Sequence, residues 1–127
     1  MLTVLIADDE PNVVELVRVT LEDDRVRVLD APDGGTALSL AAAFRPELVL
    51  LDVELPDVSG LEICRRLTRE PEFAAPRVVM LTAAAQADDV ARGLAAGAAL
   101  YLTKPFSPVR LLSLVERLLP ETTWPRG

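Results

Sequence analysis

The segment Leu48-Val49-Leu50-Leu51-Asp52-Val53-Glu54-Leu55-Pro56-Asp57-Val58-Ser59-Gly60 opens with four consecutive branched apolar residues and passes through an acid and a proline-aspartate pair to a glycine. An apolar run of strand length with no polar alternation is what a strand covered by helices on both faces requires. Runs of the same kind lie upstream at 2–7 and downstream at 78–81, with shorter ones at 26–29 and 98–102. The run at 26–29 has Arg25, Arg27 and Asp30 in or beside it, which marks an edge strand.

Helical spacing fills every gap between these runs. Pro11 suits a first helical turn, and Val13, Leu16, Val17 and Leu21 succeed it on one face. Asp33-Gly34-Gly35 opens an Ala-rich helix that runs towards Phe44 and is stopped by Arg45-Pro46. Gly60, a turn residue, precedes a helix with Leu61, Cys64 and Leu67 inward and Arg65, Arg66 and Arg69 outward. A fourth helix spans 88–96 and closes on Gly97, and Ser107-Pro108 starts a fifth with a stripe of Leu111, Leu112, Val115, Leu118 and Leu119. Strict alternation of strand and helix, five times over, predicts an α/β fold: one open, doubly wound parallel sheet of five strands with five helices on its two faces. The length of 127 residues suits one domain, expected over 1–119, with 120–127 as a C-terminal tail or the start of a linker.

Composition narrows the chemistry. Half of the residues are apolar, but only three Phe, one Tyr and one Trp are present, so Val, Leu, Ile and Ala must build the core. A net charge of −7 repels phosphate backbones and anionic lipid, so neither nucleic acid nor a membrane surface is expected as a direct ligand. The absence of His, with Cys64 as the single cysteine, excludes His-based zinc sites, Ser-His triads, Cys-His dyads and an internal disulfide. No run approaches the ~20 residues of a membrane span and no basic leader is visible, so the cytoplasm is the expected compartment.

In a doubly wound sheet, ligands bind beyond the carboxyl ends of the strands. Directly after the apolar runs stand Asp8 and Asp9, then Asp52, then Thr82, then Thr103 and Lys104. Three carboxylates, a hydroxyl and an ammonium are thus delivered to one edge. Crowded carboxylates repel unless a cation sits among them, and a hard divalent ion such as Mg²⁺ accepts a few carboxylate oxygens while bridging to phosphate. An aspartate at such a site can also act as a nucleophile toward phosphorus, with Lys104 and Thr82 fitting the donors that the developing charge needs. Taken alone, Asp8-Asp9 reads equally well as an acidic cap on the first helix.

Four motifs in order then carry a resemblance: Ile6-Ala7-Asp8-Asp9-Glu10-Pro11, the segment 50–60, Met80-Leu81-Thr82-Ala83 and Tyr101-Leu102-Thr103-Lys104-Pro105-Phe106. The chain resembles the receiver domain of bacterial two-component response regulators, chemotaxis receivers included, over nearly all of 2–119. The resemblance implies a flavodoxin-like sheet of strand order 2-1-3-4-5. It implies that Asp52 accepts phosphoryl from a histidine kinase or phosphotransfer protein. Asp9 is then a direct ligand of Mg²⁺ (or Mn²⁺), Asp8 holds it largely through water, and Asp52 and the backbone carbonyl of Glu54 complete the protein ligands. Lys104 contacts the phosphoryl oxygens, Thr82 swings in to bond one of them, and Tyr101 resembles the switch aromatic. Lys104-Pro105 is similar to the family's cis peptide, which gives Pro105 a structural role beside Gly60. A downstream effector domain or protein is the implied recipient, reached through the surface of the fourth helix, fifth strand and fifth helix.

Three other classes are weighed against this switch. A pseudo-receiver that binds partners without phosphorylation is the alternative, opposed by the intact set of Asp8, Asp9, Asp52, Thr82 and Lys104. A haloacid-dehalogenase-like phosphatase would carry its two aspartates two residues apart at the first strand, whereas Asp8 and Asp9 are adjacent. A flavin binder would need a Ser/Thr/Gly phosphate loop after Asp8. The expected protein is therefore not an enzyme beyond its own phosphorylation and dephosphorylation. Two side chains flank the expected water path, Glu54 and Ala84, and leave the phosphoryl lifetime open. The 97–101 segment lacks the paired acids of one family dimer.

Overall fold

The computed structural model describes residues 1–83 and 87–119. Five strands, β1 (Leu2–Ala7), β2 (Val26–Ala31), β3 (Leu48–Asp52), β4 (Arg77–Ala83) and β5 (Leu100–Lys104), form one parallel sheet in the order β2-β1-β3-β4-β5. Between and after them run α1 (Pro11–Leu21), α2 (Gly34–Phe44), α3 (Gly60–Arg69), α4 (Ala87–Ala95) and α5 (Pro108–Leu118). The expected fold class, strand order and edge position of β2 are all observed. No helix among the described residues is long and apolar enough to cross a membrane. The expected tail at 120–127 and the expected role of Ala84 lie outside the described residues.

Alternation along each strand divides the core in two. Val4 and Ile6 of β1 join Leu48 and Leu50 of β3 against α1 and α5, where Val17, Leu21, Leu111 and Val115 close the layer. Leu5, Ala7, Val49 and Leu51 face the opposite way, onto Ala37 and Ala41 of α2 and Ile63, Cys64 and Leu67 of α3. Both faces of β3 are thereby buried, the reason its sequence is apolar without a break. Burial pushes the Cys64 thiol up to about 11, so this residue packs as a small apolar group.

The helix starts obey local chemistry. Asp33 accepts a hydrogen bond from Thr36 N at 2.8 Å, Ser59 from Leu61 N at 3.2 Å and Ser107 from Arg110 N at 3.2 Å, each covering a donor that the first turn leaves unpaired. Pro11 and Pro108 stand at first-turn positions, where a missing N–H costs nothing.

The structure departs from expectation in three places. β5 begins at Leu100 rather than at 98, because Ala98 and Ala99 belong to the turn that leaves α4: Ala98 N donates to Gly93 O and Ala99 N to Val78 O. Gly97 makes that turn at φ 110°, with the Thr68 side chain against its Cα. In α3 the buried stripe is Ile63, Cys64 and Leu67, and Leu61 is only partly covered. A short 3-10 helix at Pro71–Phe73, unforeseen from the sequence, buries Phe73 in the second core layer.

The outer edge of β2 is occupied by side chains of α1. Arg18 donates to the carbonyl oxygen of Val28 at 2.9 Å, and the C-cap residue Glu22 accepts from Val28 N at 3.1 Å. Arg18 also pairs with Glu22 at 3.0 Å and Asp30 at 2.6 Å, which locks the arrangement.

Candidate functional site

All five strands run the same way, so their last residues share one edge of the sheet. Asp8 comes directly after β1, Asp52 ends β3, Thr82 is the second-last residue of β4 and Lys104 ends β5. The neighbouring register, Asp52 beside Leu81 and Ala83 beside Lys104, brings the acids and the ammonium to one level. Lys104 Nζ lies 2.8 Å from Asp8 Oδ2, 3.3 Å from Asp52 Oδ2 and 2.7 Å from Glu10 Oε1.

Each buried acid divides its two oxygens the same way. Asp8 Oδ1 accepts from Glu10 N at 2.9 Å and Asp52 Oδ1 from Glu54 N at 3.0 Å, so each loop holds its own carboxylate by one oxygen and turns the other to Lys104. Asp8 therefore braces the residue ahead of α1 while facing the site, and it does not cap the helix, whose N-terminus has no side-chain cap. Asp9 is exposed, and carboxylate oxygens of Asp8, Asp9, Glu10 and Asp52 all come within 4.8 Å of one another. This set of hard oxygen donors fits Mg²⁺, and the four negative charges are met by one ammonium. The repulsion expected among the acids is thus partly offset by Lys104 within the protein itself.

The local electrostatics result from this crowding. Burial pushes the Asp52 carboxyl up from its ordinary value; the Glu54 N–H opposes that shift, Asp8 adds to it and Lys104 reduces it. For Lys104, burial alone would favour the neutral amine, but hydrogen bonds to Asp8 and Glu10 and the charges of Asp8 and Asp52 outweigh it and hold the ammonium well above the lysine range.

Thr82 is buried, and its hydroxyl donates to the carbonyl of Ala83 at 3.3 Å. Tyr101 is 44% exposed and lines an open groove with Val109, Arg110 and Leu114. The Lys104-Pro105 peptide is cis, as the resemblance implied. A second groove of about 500 Å³ runs from Lys104 past Asn12, Val13, Leu16 and Phe106.

The loop that carries Glu54 is folded tightly on itself. Gly60 N donates to Val53 O at 2.8 Å, and Glu54 and Ser59 form an antiparallel bridge. Asp57, to which no sequence signal gave a role, anchors this loop to α2: its carboxylate accepts from Gly34 N at 2.7 Å and Gly35 N at 3.0 Å. Those N–H donors hold its pKa below the ordinary 3.8. A depressed carboxyl contributes stability above its unfolded value and loses it as the pH falls through the folded value. Asp57→Asn is therefore expected to melt a few degrees below wild type at neutral pH, with the gap closing below pH 3.8. A gap that stays constant down to pH 3 would disconnect Asp57 from the helix. Glu10, named in the sequence only as part of a motif, is the other residue whose position was missed. The available signal was a third acid directly after the acidic pair.

The sequence profile of the response regulator receiver domain matches residues 4–116. RpaA of Synechocystis, described as a DNA-binding dual master transcriptional regulator, is 41% identical over 119 residues, covering 94% of this chain and 49% of that protein. The phosphate regulon transcriptional regulatory protein PhoB of Pseudomonas aeruginosa is 38% identical over 120 residues, covering 94% of this chain and 52% of its own length. The chain thus spans about half the length of these curated relatives. The crystal structure of the chemotaxis response regulator CheY4 of Vibrio cholerae superposes with a TM-score of 0.85 at 32% identity, covering 94% of this chain and 99% of that one.

Proposed function

We propose, since this chain belongs to the family of response regulator receiver domains, that it is a phosphorylation-activated switch whose phosphoacceptor is Asp52. Receiver domains are signalling domains of two-component systems rather than enzymes in the ordinary sense, and phosphorylation and Mg²⁺ are general features of the family. The observation that carries the reading is the meeting of Asp8, Asp52 and Lys104 at one sheet edge, with the Asp52 carboxylate held at one oxygen and directed at the ammonium by the other.

In this reading the Asp52 oxygen turned to Lys104, Oδ2, attacks the phosphorus of a phosphohistidine on a kinase or phosphotransfer protein. The bond from phosphorus to the imidazole nitrogen breaks, the nitrogen keeps the electron pair and gains a proton, and Asp52 carries an acyl phosphate. Lys104 meets the transferred oxygens. Asp8, Asp9, Asp52 and the Glu54 carbonyl would hold Mg²⁺ or Mn²⁺, which supplies positive charge to those oxygens. Thr82 then turns from the Ala83 carbonyl to a charged acceptor, a stronger partner than a neutral carbonyl. The space it vacates admits Tyr101, whose burial changes the surface of α4, β5 and α5 that an effector reads.

Incubation with phosphoramidate and Mg²⁺ is expected to add one phosphoryl group per chain, read by intact mass as an acid- and base-labile adduct. A chain that takes up none under conditions that label a known receiver would instead be a phosphorylation-independent interaction module.

A further inference from the structure

Glu10 is the acid of the group that the proposed chemistry leaves without a task, and yet it makes the shortest contact with Lys104, 2.7 Å against 2.8 Å to Asp8 and 3.3 Å to Asp52. It occupies the N-cap position of α1, but its side chain caps nothing there. The residue stands at the mouth of the site, 59% exposed at its side chain, while the Lys104 side chain beneath it is 16% exposed. Asp8 and Asp52 each commit one oxygen to a loop N–H. Once these two acids share their remaining charge with a cation, Glu10 is left as the anion holding Lys104.

We infer that Glu10 is a latch on Lys104, a positioning residue whose carboxylate keeps the ammonium from the incoming phosphoryl group and so slows phosphorylation of Asp52. The inference rests on the reading of Asp52 as the phosphoacceptor. Lys104 has to exchange a carboxylate for phosphoryl oxygens as the transfer proceeds, and every contact that survives only in the resting state raises the barrier. The latch is a contact rather than a field. Its partner lies 94 residues away in the chain, at 2.7 Å.

Lys104 is the single lysine of the 127 residues, so the inference can be tested at one atom. The test uses the wild type, Glu10→Gln, which removes the charge, and Glu10→Asp, which keeps the charge but withdraws it by about 1.5 Å, one carbon-carbon bond. In metal-free protein carrying ¹⁵N-labelled lysine, the Lys104 ammonium protons are expected to exchange with water several-fold faster in both variants than in the wild type. With Mg²⁺ and phosphoramidate, both variants are expected to acquire phosphoryl on Asp52 about threefold faster, the scale of one part-exposed ion pair. Unchanged proton exchange, or unchanged labelling in variants of a wild type that does label, overturns the latch alone. So does a Glu10→Asp protein that matches the wild type while Glu10→Gln is fast, because charge without contact would then account for the effect. A wild type that takes no phosphoryl group overturns the phosphoacceptor reading, and the latch falls with it.

Discussion

Asp52→Ala is expected to take up no phosphoryl group from a donor that labels the wild type, and to melt within about 1 kcal/mol of wild-type stability. The two halves of this expectation have separate physical grounds. On the proposed reading the covalent step needs a nucleophilic oxygen at this position, and the buried Asp8 does not replace it, since Asp8 is tied by Oδ1 to the Glu10 N–H on a different strand end. Stability, by contrast, gains as well as loses. Burial and the neighbouring Asp8 both disfavour the charged Asp52 carboxyl, and its contact with Lys104 is the longest of the three that the ammonium makes. Removing a disfavoured charge while Lys104 keeps Asp8 and Glu10 leaves no ion without a partner, the case in which losing a buried carboxylate is cheap. Intact mass and thermal melting on the same samples check both halves. An Ala variant that labels at the wild-type rate would remove Asp52 from the chemistry.

Gly60→Ala is expected to be the most damaging small substitution in the loop that carries the site. A Cβ on Gly60 would collide with the carbonyl oxygen of Asp52 and stand 2.9 Å from Val53 Cα, and these are backbone atoms that no rotamer change can move. Relief requires breaking the Gly60 N to Val53 O hydrogen bond of 2.8 Å and prising α3 away from the end of β3. The combined cost is about 3 kcal/mol or more, a large part of the 5–15 kcal/mol typical of a domain. The melting temperature should fall by more than about 10 °C. Phosphorylation should be impaired even below that temperature, because the displaced backbone is that of Asp52 itself. A variant that melts within a few degrees of wild type and labels normally would mean that the loop has slack which its hydrogen bonds contradict.

How far the residues disclosed themselves depended on the range of the interaction that placed them. β1, β3 and α5 were legible because their information is local: continuous apolar runs for strands buried on both faces, and Ser107-Pro108 ahead of a regular stripe for the helix. Local hydropathy misled at Ala98 and Ala99, which are apolar in composition but held in a turn by bonds to Gly93 and Val78. It was silent at Phe73, whose burial depends on α2 and α3 converging over a 3-10 turn. Asp8, Asp9, Asp52, Thr82 and Lys104 could be found as candidates because each stands beside or at the end of an apolar run. The partnerships of Glu10 with Lys104 and of Asp57 with Gly34 and Gly35 could not, since they exist only once separate strands and loops are assembled.

The side chains that occupy the margin of β2 bear on behaviour at high concentration. A parallel sheet with an open margin is a template on which a second chain can add a strand, and repetition of that event builds fibrils. Here Val28 offers its outward N–H and C=O not to solvent but to Glu22 and Arg18, which together imitate one residue of a missing neighbour. An incoming strand must first displace an ion pair anchored on Asp30. At Val28 the margin is thus plugged by a counterfeit partner, and this guards the chain against self-templating along that edge.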